Sequence, residues 1–214
     1  MPEGDRPAGR DGGGDRAIGV LGSAFNPPHL GHLVLAGEAR WRLQLDEIVL
    51  VPTGDPYHKE VLADPGGRAR LEMVEVAIDG LDGLSASAIE VERPGPSYTY
   101  DTLGRIAELR PDSEIYLLMG ADTALGFGDW HRPDAIVELA RVAIAPREDI
   151  EQNAVERVFR KLGAGDRFEF IGMPPIGISS TLVQQRLRAG QPYRHLVPAG
   201  VAEMIEREEL YGNG

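Results

Sequence analysis

Apolar positions along the chain follow two alternating periods. The runs AIGVLG (17–22), EIVLVP (47–52), EIYLLMG (114–120) and RVAIAP (141–146) are short and nearly continuous, as buried strands are. By contrast, LGHLVLAGEARWRL (30–43), RARLEMVEVAI (68–78), YTYDTLGRIAELR (98–110) and AVERVFRKLG (154–163) repeat their apolar residues at helical spacing. SASAIEVER (85–93) alternates as a strand before the turn RPGPS, and FEFIGMP (168–174) reads as the last strand. RPDAIVELA (132–140) predicts a helix with Pro133 in its first turn, and Gly163 closes the helix before the last strand. TLVQQRLRAG (181–190) and PAGVAEMIEREEL (198–210) predict two final helices, the second lying on the surface. Ser97 or Thr99 is placed to cap the helix that starts near 98.

Strands alternating with helices pair in parallel through right-handed crossovers. The expected fold class is therefore α/β, a doubly wound, mainly parallel sheet of Rossmann-like topology with helices on both faces. A length of 214 residues suits one domain over 17–214, preceded by a flexible tail, MPEGDRPAGRDGGGDR (1–16), which lacks the apolar stretch of a secretory signal.

Composition narrows the function classes. Lys and Arg number 22 against 34 Asp and Glu, a net charge of −12, so broad attraction to nucleic acid or an anionic membrane is not expected. The chain has no cysteine, which removes disulfides, thiolate nucleophiles and cysteine-ligated metals and fits a reducing, cytoplasmic setting. Assembly state, including a homo-oligomer, is left open by these observations.

In a doubly wound sheet the binding crevice lies beyond the carboxyl ends of the strands. GSAFNPPHLGH, PTGDPYHK, GADTA and PPIGISST each follow a predicted strand, so one rim should collect them. Gly22 allows a tight turn, and the amides of Ser23, Ala24 and Phe25 can face an anion where the chain prepares to enter a helix. His29 and His32 fall on one helical face after Pro27 and Pro28, where both imidazoles can touch one triphosphate and, when protonated, stabilise negative charge developing on a phosphoryl group. The alternative is structural: one histidine caps the helix and the other packs on the sheet.

GSAFNPPHLGH resembles the signature of the nucleotidyltransferase superfamily, whose H-x-G-H core is shared with class I aminoacyl-tRNA synthetases. Together with SYTYDTL (97–103), GAD followed by Trp130, ISST (178–181) and the ending LVPAGVAEMIEREELYG, it is similar to the bacterial nicotinate-nucleotide adenylyltransferases. The resemblance implies direct in-line transfer of AMP from ATP to nicotinate mononucleotide, with Mg²⁺ carried by the nucleotide phosphates, no metal held by protein side chains and no tightly bound organic cofactor. It implies ATP contacts from Gly22, Ser23, Ala24, Phe25, His29, His32, Gly120, Asp122, Ile178, Ser179, Ser180 and Thr181, with His32 and His29 catalytic. It assigns the nicotinate mononucleotide side to Lys59, Thr99, Tyr100, Trp130 and His131. A free amide at a helix start favours a carboxylate over a carboxamide and an indole stacks on a pyridine ring, which would select nicotinate without an arginine.

Two positions depart from the family pattern: Ala24 stands where Thr or Ser is common, and Gln184 where an arginine is common. Loss of that charge predicts a compensating cation at Arg188 or Lys59, or weaker ATP binding; Arg186 lies roughly 200° away on the helix and cannot substitute. The orientation of Arg147 in APRED is open. The competing functions are a sibling transferase acting on nicotinamide mononucleotide or phosphopantetheine, and a weakly active or non-catalytic nucleotide-binding relative.

Overall fold

The computed structural model describes residues 16–54, 63–174 and 176–212. Six strands, β1 (Arg16–Ser23), β2 (Glu47–Pro52), β3 (Leu84–Ala86), β4 (Ser113–Gly120), β5 (Arg141–Ala145) and β6 (Phe168–Phe170), form one sheet in the order β3-β2-β1-β4-β5-β6. Every pairing is parallel. Strand order reverses between β1 and β4, whose registers match Leu21 with Leu118.

Period-two alternation assigns the two faces. Ile18 and Val20 of β1, Ile115, Leu117 and Met119 of β4, and Val142 and Ile144 of β5 pack beneath α3 (Thr99–Leu109), α5 (Pro133–Leu139) and α6 (Gln152–Lys161). Ala17, Leu21, Tyr116, Leu118 and Ala143 face the other way, toward α1 (Leu30–Arg42) and α2 (Gly67–Ile78). Gly19 lets this second face pack closely, because a Cβ there would stand 2.5 Å from the Ile48 Cδ1 and force side chains to shift. α4 (Ala121–Leu125) follows β4 directly.

A third apolar cluster joins α2 to the C-terminal helices α7 (Ser180–Arg188) and α8 (Ala199–Arg207), through Met73, Ala77, Val183, Val201 and Ile205. The helix expected to lie on the surface thus buries a full stripe, Val201, Ala202, Met204 and Ile205, and forms an outer layer over α2.

Three sequence expectations shift. The first strand begins at Arg16, inside the expected tail; residues 1–15 lie outside the described part of the chain. SASAIEVER is strand only through Ala86, with one further bond from Ser87 N–H to the Leu50 carbonyl (2.9 Å), and beyond it the buried Glu90 carboxylate accepts from the Thr102 hydroxyl of α3 (2.7 Å). FEFIGMP is strand only over 168–170, with one further bond from Ile171 N–H to the Ile144 carbonyl (2.8 Å) before the chain leaves the sheet. Among the described residues no helix is long and apolar enough to cross a membrane.

Candidate active site

Of the stretches expected on one rim, GSAFNPPHLGH, GADTA and, but for residue 175, PPIGISST are described and follow the carboxyl ends of β1, β4 and β6, while PTGDPYHK is described only through Gly54. Gly22 is not a turn residue: it lies within β1 opposite Val51, and a Cβ there would meet nothing within 4 Å. Its lack of a side chain keeps the strand tip open. The turn comes at Phe25, whose φ of 48° is left-handed. Phe25 is fully buried in the core under α1, so only its backbone can face the rim.

Pro27 and Pro28 then lead to His29, the N-cap of α1. The His29 backbone N–H donates to His32 Nδ1 (3.2 Å), which makes Nδ1 an acceptor. A neutral His32 therefore carries its proton on Nε2, and Nε2 lies 3.3 Å from the Ser23 hydroxyl. The two imidazoles stack with centroids 3.7 Å apart, and the Phe25 ring leans on His32 at 4.7 Å. Burial pushes His29 down to about 4, so near neutral pH it is an uncharged ring and not the cation that the sequence allowed. The structural alternative for the pair is thus compatible with an Nε2 left toward Ser23. One backbone-to-ring bond starts the helix and also aims Nε2 at the rim.

α7 meets this loop. The Ser180 hydroxyl donates to the Pro27 carbonyl (2.9 Å), and the Ser179 hydroxyl oxygen caps α7 by accepting from Leu182 N–H (3.1 Å). Two of the three ISST hydroxyls therefore have protein partners, while Thr181 is exposed and Ile178 half-buried. A Cβ on Gly31 would stand 3.0 Å from His29 Nδ1 and 3.3 Å from Ile176, which places the segment before α7 against the histidines.

Gln184 does not face the rim. It is buried, and its amide donates to the Asn26 carbonyl (2.7 Å) and the Ala63 carbonyl (3.3 Å). The position read as a lost phosphate contact is here a cross-link between loops. Lys59, the proposed mobile cation, lies outside the described residues, and Arg188 is already engaged with a neighbour.

At the tip of β4, a Cβ on Gly120 would lie 2.5 Å from Asp122 Oδ1, so glycine lets Asp122 fold back over the strand end. Arg147, after β5, reaches Asp122 at 3.9 Å and Asp149 at 3.2 Å, which settles its orientation toward the β4 tip.

Of the residues expected on the acceptor side, those that are described also lie close together. α3 opens at Thr99 with no side-chain cap, against expectation, because the Ser97 hydroxyl accepts from Gly54 N–H (3.0 Å) instead. The amides of its first turn stay available. The His131 ring stacks on Tyr98 (4.3 Å), and Trp130 is half-buried against Phe127 (5.1 Å). Arg132, in a left-handed conformation, holds its guanidinium 4.0 Å over the Tyr100 ring. An arginine does stand beside this side of the rim.

Sequence reasoning also missed Arg70. This residue is 1% exposed, pairs with Asp64 (3.0 Å) and donates to the carbonyls of Ala24 (2.9 Å), Thr53 (2.6 Å) and Gly54 (3.0 Å). It ties the loop after β1 to that after β2, and Thr53 N–H donating to the Ser23 carbonyl (2.9 Å) completes the tie. Its signal was present: an arginine within the apolar stripe Leu71, Val74, Ala77 and Ile78.

Known proteins carry the same pattern. Residues 20–186 match the family model described as Cytidylyltransferase-like. A Dehalococcoides mccartyi protein named "Probable nicotinate-nucleotide adenylyltransferase" is 38% identical over 195 residues, 90% of this chain and 96% of that one. A Synechococcus protein of the same name is 36% identical over 92% of this chain and 95% of its own. In fold, the Plasmodium falciparum nicotinic acid mononucleotide adenylyltransferase complexed with NaAD superposes with a TM-score of 0.76 at 18% identity, covering 92% of this chain and 97% of that one. The chain belongs to the cytidylyltransferase-like family and, within it, to the nicotinate-nucleotide adenylyltransferases.

Proposed function

We propose that the protein transfers AMP from ATP to nicotinate mononucleotide, forming deamido-NAD and pyrophosphate in NAD biosynthesis. The observation that carries this reading is a single rim with two differently built halves. One half presents His32 Nε2 beside Ser23 at the β1 tip; the other presents the uncapped start of α3 beside Trp130. The 5′-phosphate oxygen of nicotinate mononucleotide attacks the α-phosphorus in line, a P–O bond forms, the bond to the β-phosphate oxygen breaks, and pyrophosphate leaves with the electron pair. No protein nucleophile is needed.

In this reading His32 donates from Nε2 to the phosphoryl oxygens as charge shifts during transfer, and neutral His29 fixes the ring beneath it. Gly22, Ser23 and the backbone of Ala24 and Phe25 border the triphosphate, with Ile178, Ser179, Ser180 and Thr181 across from them. Gly120 and Asp122 meet the ATP ribose, and Mg²⁺ enters with the triphosphate as part of the substrate. The Thr99 and Tyr100 amides receive the nicotinate carboxylate, Trp130 and His131 border its ring, and Lys59 serves the acceptor phosphate.

A panel of acceptors tests the reading. With ATP and Mg²⁺, pyrophosphate release should be fastest by at least about tenfold with nicotinate mononucleotide, against nicotinamide mononucleotide and phosphopantetheine. One carboxylate-to-amide hydrogen bond of the charged kind is worth that ratio or more. Equal rates with all three would remove the specificity claim, and ATP binding without turnover would leave a nucleotide-binding relative.

A further inference from the structure

Asn26 lies three residues before His29 inside the loop that ends β1, and it is 4% exposed, so it offers a substrate no surface. Its polar groups are instead taken up by three distant parts of the chain. Its side-chain amide donates to the Ala63 carbonyl (2.7 Å), its backbone carbonyl accepts from Gln184 on α7 (2.7 Å), and its side-chain oxygen accepts from the Tyr211 hydroxyl (2.6 Å). Tyr211 comes 185 residues later, after α8.

Tyr211 keeps this bond in a conformation unfavourable for a residue with a Cβ: its φ is 65°. Burial, and after it the negative charge of Asp64, raise its hydroxyl far above the usual tyrosine range, so it remains a donor at every physiological pH. Gln184 gives the same loop a second tether, and its own Oε1 is buried without a partner among the described residues. A carboxamide is held here for what its N–H groups grip, not for what it could offer a ligand.

We propose that Tyr211 and Gln184 are positioning residues for adenylyl transfer, which act through Asn26 to fix the loop that aims His29 and His32. Pro27 and Pro28, with their restricted φ, pass the orientation of Asn26 to the N-cap of α1. The C-terminal layer thereby becomes a working part of the site. This inference rests on the proposed reaction, so its test carries a readout that does not.

The variants are Tyr211→Phe, Gln184→Met and the double variant, with Tyr193→Phe as control; the Tyr193 hydroxyl bonds Glu206 of α8 (3.2 Å) within the same outer layer. Each is assayed for kcat, for both KM values, for MgATP affinity by calorimetry and for Tm. Tyr211→Phe should lower kcat about tenfold and weaken MgATP binding severalfold at temperatures well below its Tm, because misplacement of a reacting group by a fraction of an ångström is costly. Gln184→Met should act in the same direction, and the double variant should fall short of the product of the two, as coupled tethers do. Tyr193→Phe should shift Tm alone. A Tm loss in Tyr211→Phe with kcat, KM and MgATP affinity all within twofold of wild type would overturn the inference. Should the wild type prove inactive on nicotinate mononucleotide, the reaction assigned above fails, and the MgATP affinities still decide whether the tether positions the loop.

Discussion

At the scale of single residues, the account turns on how His29 and His32 share one turn of chain. His29 is buried and held at about 4, against its ordinary 6.5. Between those pH values the unfolded chain binds a proton that the folded one refuses, so the stability present above pH 6.5 is lost as pH falls toward 4. The shift corresponds to about 3 kcal/mol in all. His29→Asn should therefore flatten the fall in unfolding free energy between about pH 7 and pH 4, measured by denaturant titration. Profiles that run parallel in the two proteins would show that His29 does not titrate this way. The spacing of the pair was legible in the sequence, as was the choice between capping and catalysis. The bond that joins the two residues was not, because it depends on which ring nitrogen receives the His29 N–H. The turn expected at Gly22 occurs instead at Phe25, and Gly22 only leaves space at the strand tip.

Among the elements, the loops after β1 and β2 are joined by one guanidinium. Arg70, itself almost unexposed, satisfies three half-buried carbonyls and pairs with the more exposed Asp64, and removing it takes the shared donor from all three carbonyls. Arg70→Met, which keeps the length of the side chain, should lower the free energy of unfolding by about 2–3 kcal/mol in a denaturant melt, the cost of leaving the loop carbonyls without their donor. A loss under about 1 kcal/mol would mean that water replaces the guanidinium freely. Strands and helices with a clear period were readable, since burial on one face leaves its mark on every second or every third to fourth residue. The failures have local causes. SASAIEVER kept its alternation, yet Glu90 spends its position on Thr102 instead of the sheet, and no periodicity encodes a partner twelve residues away. Arg70 was overlooked because a charge inside an apolar stripe reads as a surface position until its four partners are seen.

For the whole molecule, the parallel, doubly wound fold followed from the alternation of elements, while the order β3-β2-β1-β4-β5-β6 required the structure. That order puts the β1/β4 reversal under the loops expected to carry the chemistry, and the third cluster brings the C-terminal layer against α2. The rim's contents were legible because each chemically rich stretch follows a strand. Their inward ties through Asn26, Gln184 and Tyr211 were not, since they link residues up to 185 apart. The central claim is that one groove holds both nucleotides across the reversal, and a crystal structure with deamido-NAD bound tests it most directly. The account predicts a phosphate within hydrogen-bonding distance of His32 Nε2, with the nicotinate carboxylate on the Thr99 and Tyr100 amides; a dinucleotide seated away from either group would contradict it.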